Sequence, residues 1–294
     1  MQQMSFLDDS PPHTITNVAT VPQRSPFRYP GGKTWLVPRI RQWLAHRTTR
    51  PEVFVEPFAG GGIVSLTVGF EQLADHVIMV EVDAQVAAVW KTILGDDAAR
   101  DWLTERIATF DLTPEAVADV LAQPAMEIKE QAFRTILKNR VNRGGIMAAG
   151  AGKVKQGENG KGLRSRWYPA TLCRRIQAIG SIRERFTFIE GDGMDVLRRY
   201  ADQSGVVCFL DPPYTAAGKK AGARLYTHAN LDHPQLFHLA GSLANDFMMT
   251  YDNTTEIHAL AQMHGFDTQP VAMKNTHHAA MTELIIGRCL DWLR

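Results

Sequence analysis

The sequence predicts a doubly wound α/β fold, built on a mostly parallel sheet and interrupted once by an inserted, mainly helical segment. A strand-like run at residues 53–57 is followed by a glycine turn, an apolar helical stretch at about 63–73 and a second strand-like run at 76–82. Five consecutive apolar residues at 206–210, too few for a helix, indicate a buried parallel strand. From about 96 to 185 helical patterns alternate with a glycine-rich stretch, and no strand-like run occurs. Strands and helices that alternate around one insertion predict this fold.

Three further strand-like runs complete the predicted sheet, at residues 186–189, 247–250 and 282–286, and a helical pattern covers 233–244. Upstream of the first strand, a glycine turn leads into an amphipathic helical stretch. The first residues carry scattered prolines without the basic and apolar regions of a signal peptide. We therefore expect a flexible leader at 1–24, one domain formed by 25–95 and 186–294, and an inserted domain at 96–185.

The composition is that of an ordinary globular chain, because 294 residues with 45% hydrophobic content can form a substantial core. The three cysteines, Cys173, Cys208 and Cys289, are far apart, which argues against a disulfide framework or a zinc site. Ten histidines, including His277 and His278, form no H-x-x-x-H or H-E-x-x-H pattern, so we expect no bound metal. No stretch is long enough to cross a bilayer, and cytoplasmic residence is expected.

Charge is distributed unevenly along the chain, although the formal net charge is only +1. Residues 134–185 hold thirteen Lys or Arg and two acids, which leaves a local excess of +11. A strongly cationic segment of this kind is typical of a surface that binds nucleic-acid phosphates, with a solvated basic face as the alternative. The segment lies entirely within the predicted insertion.

The tetrapeptide Asp211, Pro212, Pro213 and Tyr214 directly follows the predicted strand at 206–210, at the sheet edge where α/β folds bind ligands. Each proline fixes φ at about −65° and removes an N–H, so the segment is stiff and presents bare carbonyls. The Asp211 carboxylate and the Pro212 carbonyl can together accept both hydrogens of one exocyclic amine, and Tyr214 can stack on a planar base. The tetrapeptide thus predicts a site for an aminopurine or aminopyrimidine, with an exposed proline turn as the alternative.

The glycine turn after the first strand predicts a cofactor site. Gly60 and Gly62 let a ligand approach the backbone closely, and the following helix offers free N–H groups. Glu81, at the end of the next strand, is placed to accept both hydroxyls of a ribose. An adenosine-containing cofactor is favoured over a dinucleotide, because Ser65 stands where the third glycine of that fingerprint belongs. Asp192 is placed either to accept an adenine amine or to cap the helix that follows it.

Taken in order, these motifs resemble those of the DNA adenine methylase family, the alpha-class, D12-type N6-adenine DNA methyltransferases. Residues 27–33 are similar to the family's N-terminal motif, residues 55–62 to its S-adenosylmethionine loop, and residues 211–214 to its catalytic tetrapeptide. Residues 139–145 are similar to the arginine-asparagine stretch of its recognition domain, and residues 282–286 to its terminal strand. The resemblance implies a Rossmann-like S-adenosylmethionine-dependent methyltransferase domain with an inserted helical DNA-recognition domain.

The resemblance spans about residues 26–290 and implies roles by position. It implies S-adenosylmethionine as the cofactor, bound by Tyr29, Lys33, Glu56, Phe58, Gly60, Gly62, Glu81, Asp192 and Asp211. It implies catalysis by Asp211, Pro212 and Tyr214. Contacts with double-stranded DNA are expected from Arg140, Asn142, Arg143, Lys153, Lys155, Arg164 and Arg166 in the cationic segment, and from Lys219 and Lys220 in a loop after the tetrapeptide. The family often has aspartate where Glu81 stands. A monomer is expected, with a dimer on DNA as the alternative.

The activity that the resemblance implies is methyl transfer to the N6 amine of an adenine flipped out of a specific duplex sequence, with restriction–modification as one context. Asp211 and the Pro212 carbonyl would accept hydrogen bonds from the amine and direct its lone pair toward the methyl donor. One alternative is N4-cytosine methylation, where serine commonly replaces the first aspartate. A second is methylation of RNA or of a protein glutamine, where asparagine usually heads the tetrapeptide. A DNA-binding regulator without catalysis is the third, and intact Lys33, Glu56 and Glu81 disfavour it.

Overall fold

A seven-stranded sheet forms the centre of the protein in the computed structural model, which describes residues 16–29, 31–148, 150–157, 160–213, 231–274 and 280–293. The strands are β1 Val53–Glu56, β2 His76–Glu81, β3 Phe186–Glu190, β4 Val206–Leu210, β5 Asp246–Asp252, β6 Asp267–Lys274 and β7 Ala280–Gly287. Their order is β3-β2-β1-β4-β5-β7-β6. The first five strands in this order are parallel, and β7 is antiparallel to both β5 and β6.

Helices cover both faces of this sheet. They are α1 Val37–Ala45, α2 Ile63–Glu71, α3 Ala84–Leu94, α4 Asp97–Thr109, α5 Pro114–Ala122, α6 Ile128–Val141, α7 Pro169–Gly180, α8 Gly193–Tyr200, α9 His233–Ser242 and α10 Thr255–Met263. Successive strand residues point to opposite faces, so Phe54 and Phe209 belong to one apolar core, while Val55 and Cys208 belong to the other. Two buried faces on a largely parallel sheet confirm the predicted doubly wound α/β fold.

Polar side chains fix where several helices begin. Asp83, Asp96, Thr113, Asp192, Asp232 and Thr254 each precede a helix and accept a hydrogen bond from a backbone N–H of its first turn. Proline stands in the first turn of α1, α5, α7 and α9, where its missing N–H costs no hydrogen bond. Local sequence thus sets the helix starts that follow the strand ends.

The stretch between β2 and β3 is helical and contains α4 to α7 after α3. Leu103 of α4 and Phe133 and Leu137 of α6 belong to the same apolar core as Trp90 of α3 and Phe54 of β1. This stretch therefore packs directly on the helical layer of the sheet and shares its core. Its assignment as a separate recognition domain at 96–185 stays a prediction.

Two residues of the predicted flexible leader, Val21 and Arg24, contact the folded part of the protein, whereas residues 17–20 are exposed. Val21 is buried in the apolar core. Arg24 donates a hydrogen bond to Glu71 at 3.0 Å, and its guanidinium lies 4.9 Å from the centre of the Phe70 ring. The end of the leader is thus attached to α2 through Arg24. Among the helices that the structure describes, none combines the length and the apolarity that a bilayer-spanning segment requires.

Candidate active site

Acidic residues stand at the carboxyl ends of all five parallel strands. Glu56, Glu81 and Asp252 are the last residues of β1, β2 and β5, Asp211 directly follows β4, and Asp192 follows β3 by two positions. The carboxyl ends of parallel strands meet at one edge of a sheet, and the strand order reverses there between β1 and β4. The fold therefore gathers these carboxylates at its ligand-binding edge.

A cavity of about 920 Å³ opens at this edge. Its volume lies in the range of small-molecule and cofactor sites. Every residue predicted to bind the cofactor lines it, as does the predicted catalytic Pro212: Tyr29, Lys33, Glu56, Phe58, Gly60, Gly62, Glu81, Asp192, Asp211 and Pro212. Tyr214, the remaining predicted catalytic residue, lies outside the described residues.

The glycine turn between β1 and α2 lines the cavity, and two of its positions, Gly60 and Gly62, require glycine. Gly60 and Gly62 have positive φ values of 47° and 64°. A Cβ on Gly62 would lie 2.6 Å from Met79 Cε and 2.9 Å from the Trp90 ring. Trp90 also donates a hydrogen bond from Nε1 to the Gly60 carbonyl at 2.9 Å. The turn is thus fixed from below by α3 and β2, with its backbone turned to the cavity.

Glu81 holds the same turn in place. One of its carboxylate oxygens accepts a hydrogen bond from the Gly60 N–H at 2.9 Å, and the other accepts one from the Asp83 N–H at 2.8 Å. Burial raises the pKa of Glu81 to about 7. Its predicted contact with a ribose stays a proposal, since both carboxylate oxygens already accept hydrogen bonds from backbone N–H groups here.

Asp192 is exposed at the rim of the cavity and caps α8. Its Oδ1 accepts a hydrogen bond from the Met194 N–H at 2.8 Å. The capping alternative considered for this residue therefore describes the structure. Its contact with an adenine amine stays a proposal. Asp192 lines the cavity, so a bound ligand could reach it.

Lys33 and Asp211 form the polar centre of the cavity. Lys33 Nζ lies 3.0 Å from Asp211 Oδ1 and 3.5 Å from Glu283 Oε2, and it donates to the Gly31 carbonyl at 3.0 Å. Thr250 of β5 donates a hydrogen bond from its hydroxyl to Asp211 Oδ1 at 2.8 Å. The lysine is 3% exposed, so its charge is compensated by these acids rather than by water.

Further acids surround this pair. Burial raises the pKa of Glu56 to about 8, although the Ser65 N–H donates to its carboxylate at 2.9 Å. Burial also raises the pKa of Glu283 to about 7 and that of Asp252 above its ordinary value. Because like charges disfavour one another in a buried site, the cluster favours a cationic ligand or retains protons near neutral pH.

Sequence reasoning missed Glu283, Thr250 and Asp252 as members of this site. Glu283 lies in β7 opposite Asp252 of β5, and β7 joins the sheet antiparallel, so its register brings Glu283 to the same edge. The signal available in the sequence was a glutamate at the start of the apolar run 284–286. A charge within such a run needs a buried partner, which Lys33 supplies.

The residues predicted to contact DNA fall into two groups. Arg143, Lys153, Lys155 and Arg164 are exposed, and Arg166 is half-buried. Arg140 and Asn142 are buried and hold the protein's own backbone: Arg140 donates to the Pro26 carbonyl, and Asn142 donates to the Ile146 carbonyl at 2.8 Å. These two side chains are not presented to a duplex in this structure. Lys219 and Lys220 lie outside the described residues.

Arginines crowd around Arg140, beside the cavity. Burial, together with the nearby charges of Arg175, Arg28 and Arg166, lowers the pKa of Arg140 to about 9. Arg28 and Arg175 themselves line the cavity. This side of the cavity is therefore cationic, whereas the strand ends opposite are acidic.

Comparison with solved structures returned chains of low similarity, among them methyltransferases. The proposed RNA methyltransferase PH1948 of Pyrococcus horikoshii is 13% identical, with a TM-score of 0.41 over 92% of both chains. The rRNA methyltransferase aviRa of Streptomyces viridochromogenes is 15% identical, with a TM-score of 0.39 over 88% of this chain and 85% of that one. TYW2 of P. horikoshii, in complex with MeSAdo, is 10% identical, with a TM-score of 0.32 over 93% and 67%. Comparison with curated proteins gave no match.

The family comparison is more specific. A model of the D12 class N6 adenine-specific DNA methyltransferases matches residues 29–271. The matched region begins at Tyr29, contains the glycine turn, the helical stretch and the tetrapeptide, and ends within β6. It covers most of the 294 residues and all five acidic strand ends. The chain therefore belongs to the D12 class N6 adenine-specific DNA methyltransferase family.

Proposed function

We propose that this protein transfers a methyl group from S-adenosylmethionine to the N6 amine of adenine within a specific double-stranded DNA sequence. The observation that carries the proposal is a single cavity that joins the glycine turn to Asp211. One part of this cavity suits a nucleoside cofactor, and the other offers acceptors for an amine. Family membership supports methyl transfer to DNA adenine, and the cavity supplies residues for it.

The residues present fit S-adenosylmethionine. Gly60 and Gly62, which have no side chains, line the cavity with their backbone, and the N-terminus of α2 lies directly after them. Glu81 and Asp192 would take the ribose and adenine, with Phe58 and Tyr29 supplying apolar walls. When bound, this cofactor supplies an electrophilic methyl group on a sulfonium. Its positive charge suits the acidic strand ends.

Asp211 and the Pro212 carbonyl would accept the two hydrogens of the target amine. An amine conjugated to a purine ring is a poor nucleophile, and hydrogen bonds to two fixed acceptors favour the geometry in which its lone pair is localised. Lys33 and Thr250 both contact Oδ1 of Asp211 and so orient its carboxylate. Asp211 then stabilises the positive charge that develops on the nitrogen as it gains the methyl group, and Asp211 or a nearby water accepts the proton that this nitrogen loses.

The base must leave the duplex to enter this cavity, at a cost of a few kcal/mol. Stacking on Tyr214 would recover about 1–3 kcal/mol, as part of the proposal. The exposed basic side chains Arg143, Lys153, Lys155 and Arg164 would bind the phosphates on either side of the extruded nucleotide. Cytoplasmic residence and a monomeric state remain predictions.

The test is a methylation assay with radiolabelled S-adenosylmethionine on duplex DNA, followed by nucleoside analysis of the digested product. Wild type should form N6-methyladenine at one sequence. Asp211→Ala should stay folded but lose at least about 10²-fold in single-turnover rate, because removal of a preorganised charge acceptor costs this much. N4-methylcytosine as the product, methylation of RNA alone, or more than a few per cent of wild-type activity in Asp211→Ala would contradict the proposal.

A further inference from the structure

Residues 25–29, which we name the strap, lie across the glycine turn and close the cavity from above. The Ser25 hydroxyl donates a hydrogen bond to the Gly61 carbonyl at 2.5 Å. The Tyr29 ring covers Gly60 and Gly61 so closely that a Cβ on either would lie 2.7 Å from a Tyr29 carbon. A side chain placed at Gly60 or Gly61 would thus meet the strap, and because the strap also lines the cavity, the shape of the cavity depends on where the strap lies.

The strap is held from its other side by Asn139 of α6. Asn139 Oδ1 accepts a hydrogen bond from the Arg28 N–H at 2.9 Å, and its Nδ2 donates to the Arg28 carbonyl at 2.9 Å. Nδ2 also donates to the Gly145 carbonyl at 2.8 Å. The asparagine amide therefore binds both backbone groups of one strap residue, as a neighbouring β-strand would. It is fully buried, so no water replaces it.

Two arginines and a glycine from the same helical stretch complete the attachment. Arg140 donates to the Pro26 carbonyl, and Arg175 donates to the Ser25 carbonyl at 2.9 Å. A Cβ on Gly145 would lie 1.9 Å from the Arg28 carbonyl oxygen, so only glycine allows this approach. Three strap residues, Ser25, Pro26 and Arg28, are thus held by side chains more than a hundred positions away in the sequence. These side chains belong to the stretch predicted to recognise DNA.

We propose that Asn139 is a positioning residue for the S-adenosylmethionine site, which acts by fixing the strap over the glycine turn. The inference rests on the proposed function for the identity of the cofactor. Its consequence is that cofactor affinity depends on a residue of the helical stretch between β2 and β3. Without Asn139, the strap is no longer preorganised, and cofactor binding must order it.

The expected effect is on the dissociation constant of the cofactor. Asn139→Ala leaves the Arg28 N–H and carbonyl without their partner, which should raise this constant about 10-fold to 100-fold. Asn139→Asp should have an effect at least as large, because its carboxylate would face the Arg28 and Gly145 carbonyls and repel them. Ser25→Ala removes the hydrogen bond that the Ser25 hydroxyl donates to the Gly61 carbonyl and the one that it accepts from the Phe27 N–H at 3.1 Å, and should weaken binding in the same direction by a smaller factor.

The matched control is Thr135→Ala. Thr135 lies one turn before Asn139 on α6, is fully buried, and donates only to the Gln131 carbonyl of its own helix at 2.8 Å. If the role of Asn139 is purely structural, Asn139→Ala and Thr135→Ala should behave alike. Both should show a lower melting temperature and lower affinities for S-adenosylmethionine and for DNA. A positioning role changes cofactor binding in the Asn139 variants alone.

The experiment measures S-adenosylmethionine binding by calorimetry without DNA, and binding of a fluorescein-labelled duplex of mixed sequence without cofactor. We expect the Asn139 variants and Ser25→Ala to bind cofactor more weakly, Thr135→Ala to bind it as wild type does, and all four to bind the duplex equally. Wild-type cofactor affinity in a folded Asn139→Ala overturns the inference. If Asn139→Ala does not fold, wild-type affinity in Ser25→Ala overturns it. A wild-type protein that binds no S-adenosylmethionine overturns the proposed function itself.

Discussion

Lys33 Nζ lies 3.0 Å from Oδ1 of Asp211, and this ion pair joins the turn before α1 to the carboxyl end of β4. The two residues come from motifs that are far apart in the sequence, and both line the same cavity. Glu283 of β7 approaches the same ammonium group at 3.5 Å. One buried cation thus compensates acids from two strands, so the active centre and the stability of the sheet edge depend on a common residue.

Lys33→Met should therefore impair stability and catalysis together. Removing one partner of a buried ion pair leaves an uncompensated charge and costs about 3–5 kcal/mol. Asp211 would also lose the group that orients it, and we expect at least a tenfold fall in single-turnover methylation, which is about 1.4 kcal/mol in the barrier. Urea unfolding and a single-turnover assay measure the two effects.

Lys91→Met is the control for that variant, because Lys91 forms a partly exposed ion pair with Glu190. Surface pairs contribute only about 0–1 kcal/mol. Equal unfolding free energies for Lys33→Met and Lys91→Met would show that the Lys33 charge is not compensated in the way the structure indicates.

Glu56→Gln should alter the pH dependence of stability. Burial raises the pKa of Glu56 to about 8 in the folded protein, whereas glutamate in an unfolded chain titrates at about 4.3. Between these values the folded state binds more protons than the unfolded state, so this group makes the unfolding free energy fall as pH rises. Glutamine retains an oxygen that can accept from the Ser65 N–H and has no proton to lose.

Thermal unfolding of wild type and Glu56→Gln from about pH 5 to about pH 9, which brackets the folded pKa of about 8, tests this sign. The melting temperature of wild type should fall relative to that of Glu56→Gln across this interval, with the difference complete above the folded pKa. Glu52→Gln removes an acid from an exposed position and controls for net charge. Parallel pH profiles for wild type and Glu56→Gln would contradict the buried, proton-retaining state of Glu56.

Local motifs made the sheet edge predictable from the sequence. The runs at 53–57, 76–82 and 206–210 each match a strand within one or two residues, because a short apolar run between turns has few alternatives in a parallel sheet. Strand β6, Asp267–Lys274, was missed. It carries Pro270 and several polar residues, as an edge strand can, since one side of it needs no ladder hydrogen bonds.

Contacts between distant segments were not predictable. Several of the residues predicted to bind the cofactor could be proposed because they lie at or shortly after the end of a strand, whereas Glu283 reaches the cavity through antiparallel pairing of β7 with β5. The stretch 139–145 was assigned to DNA, yet Asn139, Arg140 and Gly145 contact residues 26–28. Motif spacing in the sequence does not identify a contact partner more than a hundred residues away. Arginine is rarely buried, so the sequence led us to expect that Arg140 would be exposed.

Gly62→Ala should damage the cofactor site and destabilise the fold. Its φ of 64° is unfavourable for alanine, and the added Cβ would lie 2.6 Å from Met79 Cε and 2.9 Å from the Trp90 ring. The left-handed conformation and the overpacking each cost about 1–3 kcal/mol. Cofactor affinity should fall because the turn must shift into the cavity. Calorimetry and urea unfolding measure both losses.

Gly191→Ala is the matched control at the end of β3. A Cβ there would meet only Ile189 Cγ2, at 3.9 Å, which is an ordinary contact. We expect wild-type affinity and stability within about 0.5 kcal/mol, as for most surface substitutions. A Gly62→Ala variant that behaved like Gly191→Ala would mean that the turn has room which the structure does not show.

The cationic segment at 134–185 should give DNA binding a steep salt dependence. If about six to eight of its thirteen basic side chains contact phosphates, log affinity should fall with log salt at a slope of about −5 to −7. Burial of Arg140 removes one of these from contact with a duplex, and Arg164 pairs with Asp111 at 2.9 Å. The exposed Lys153 and Lys155 are better placed to bind phosphates.

The double variant Lys153→Ala, Lys155→Ala should reduce the magnitude of this slope by about 2, since each phosphate contact contributes about 0.9. Phosphate contacts do not depend on the DNA sequence. The affinity for a duplex that contains the target sequence and the affinity for a duplex of mixed sequence should therefore fall by the same factor. Arg198→Ala removes an exposed arginine on α8 that pairs with Asp195, outside the segment, and should leave the slope unchanged. Fluorescence anisotropy over a salt series measures all three proteins. Equal slopes for wild type and the double variant would exclude these lysines from the DNA-binding surface. A loss of affinity confined to the duplex that contains the target sequence would assign them to base recognition instead.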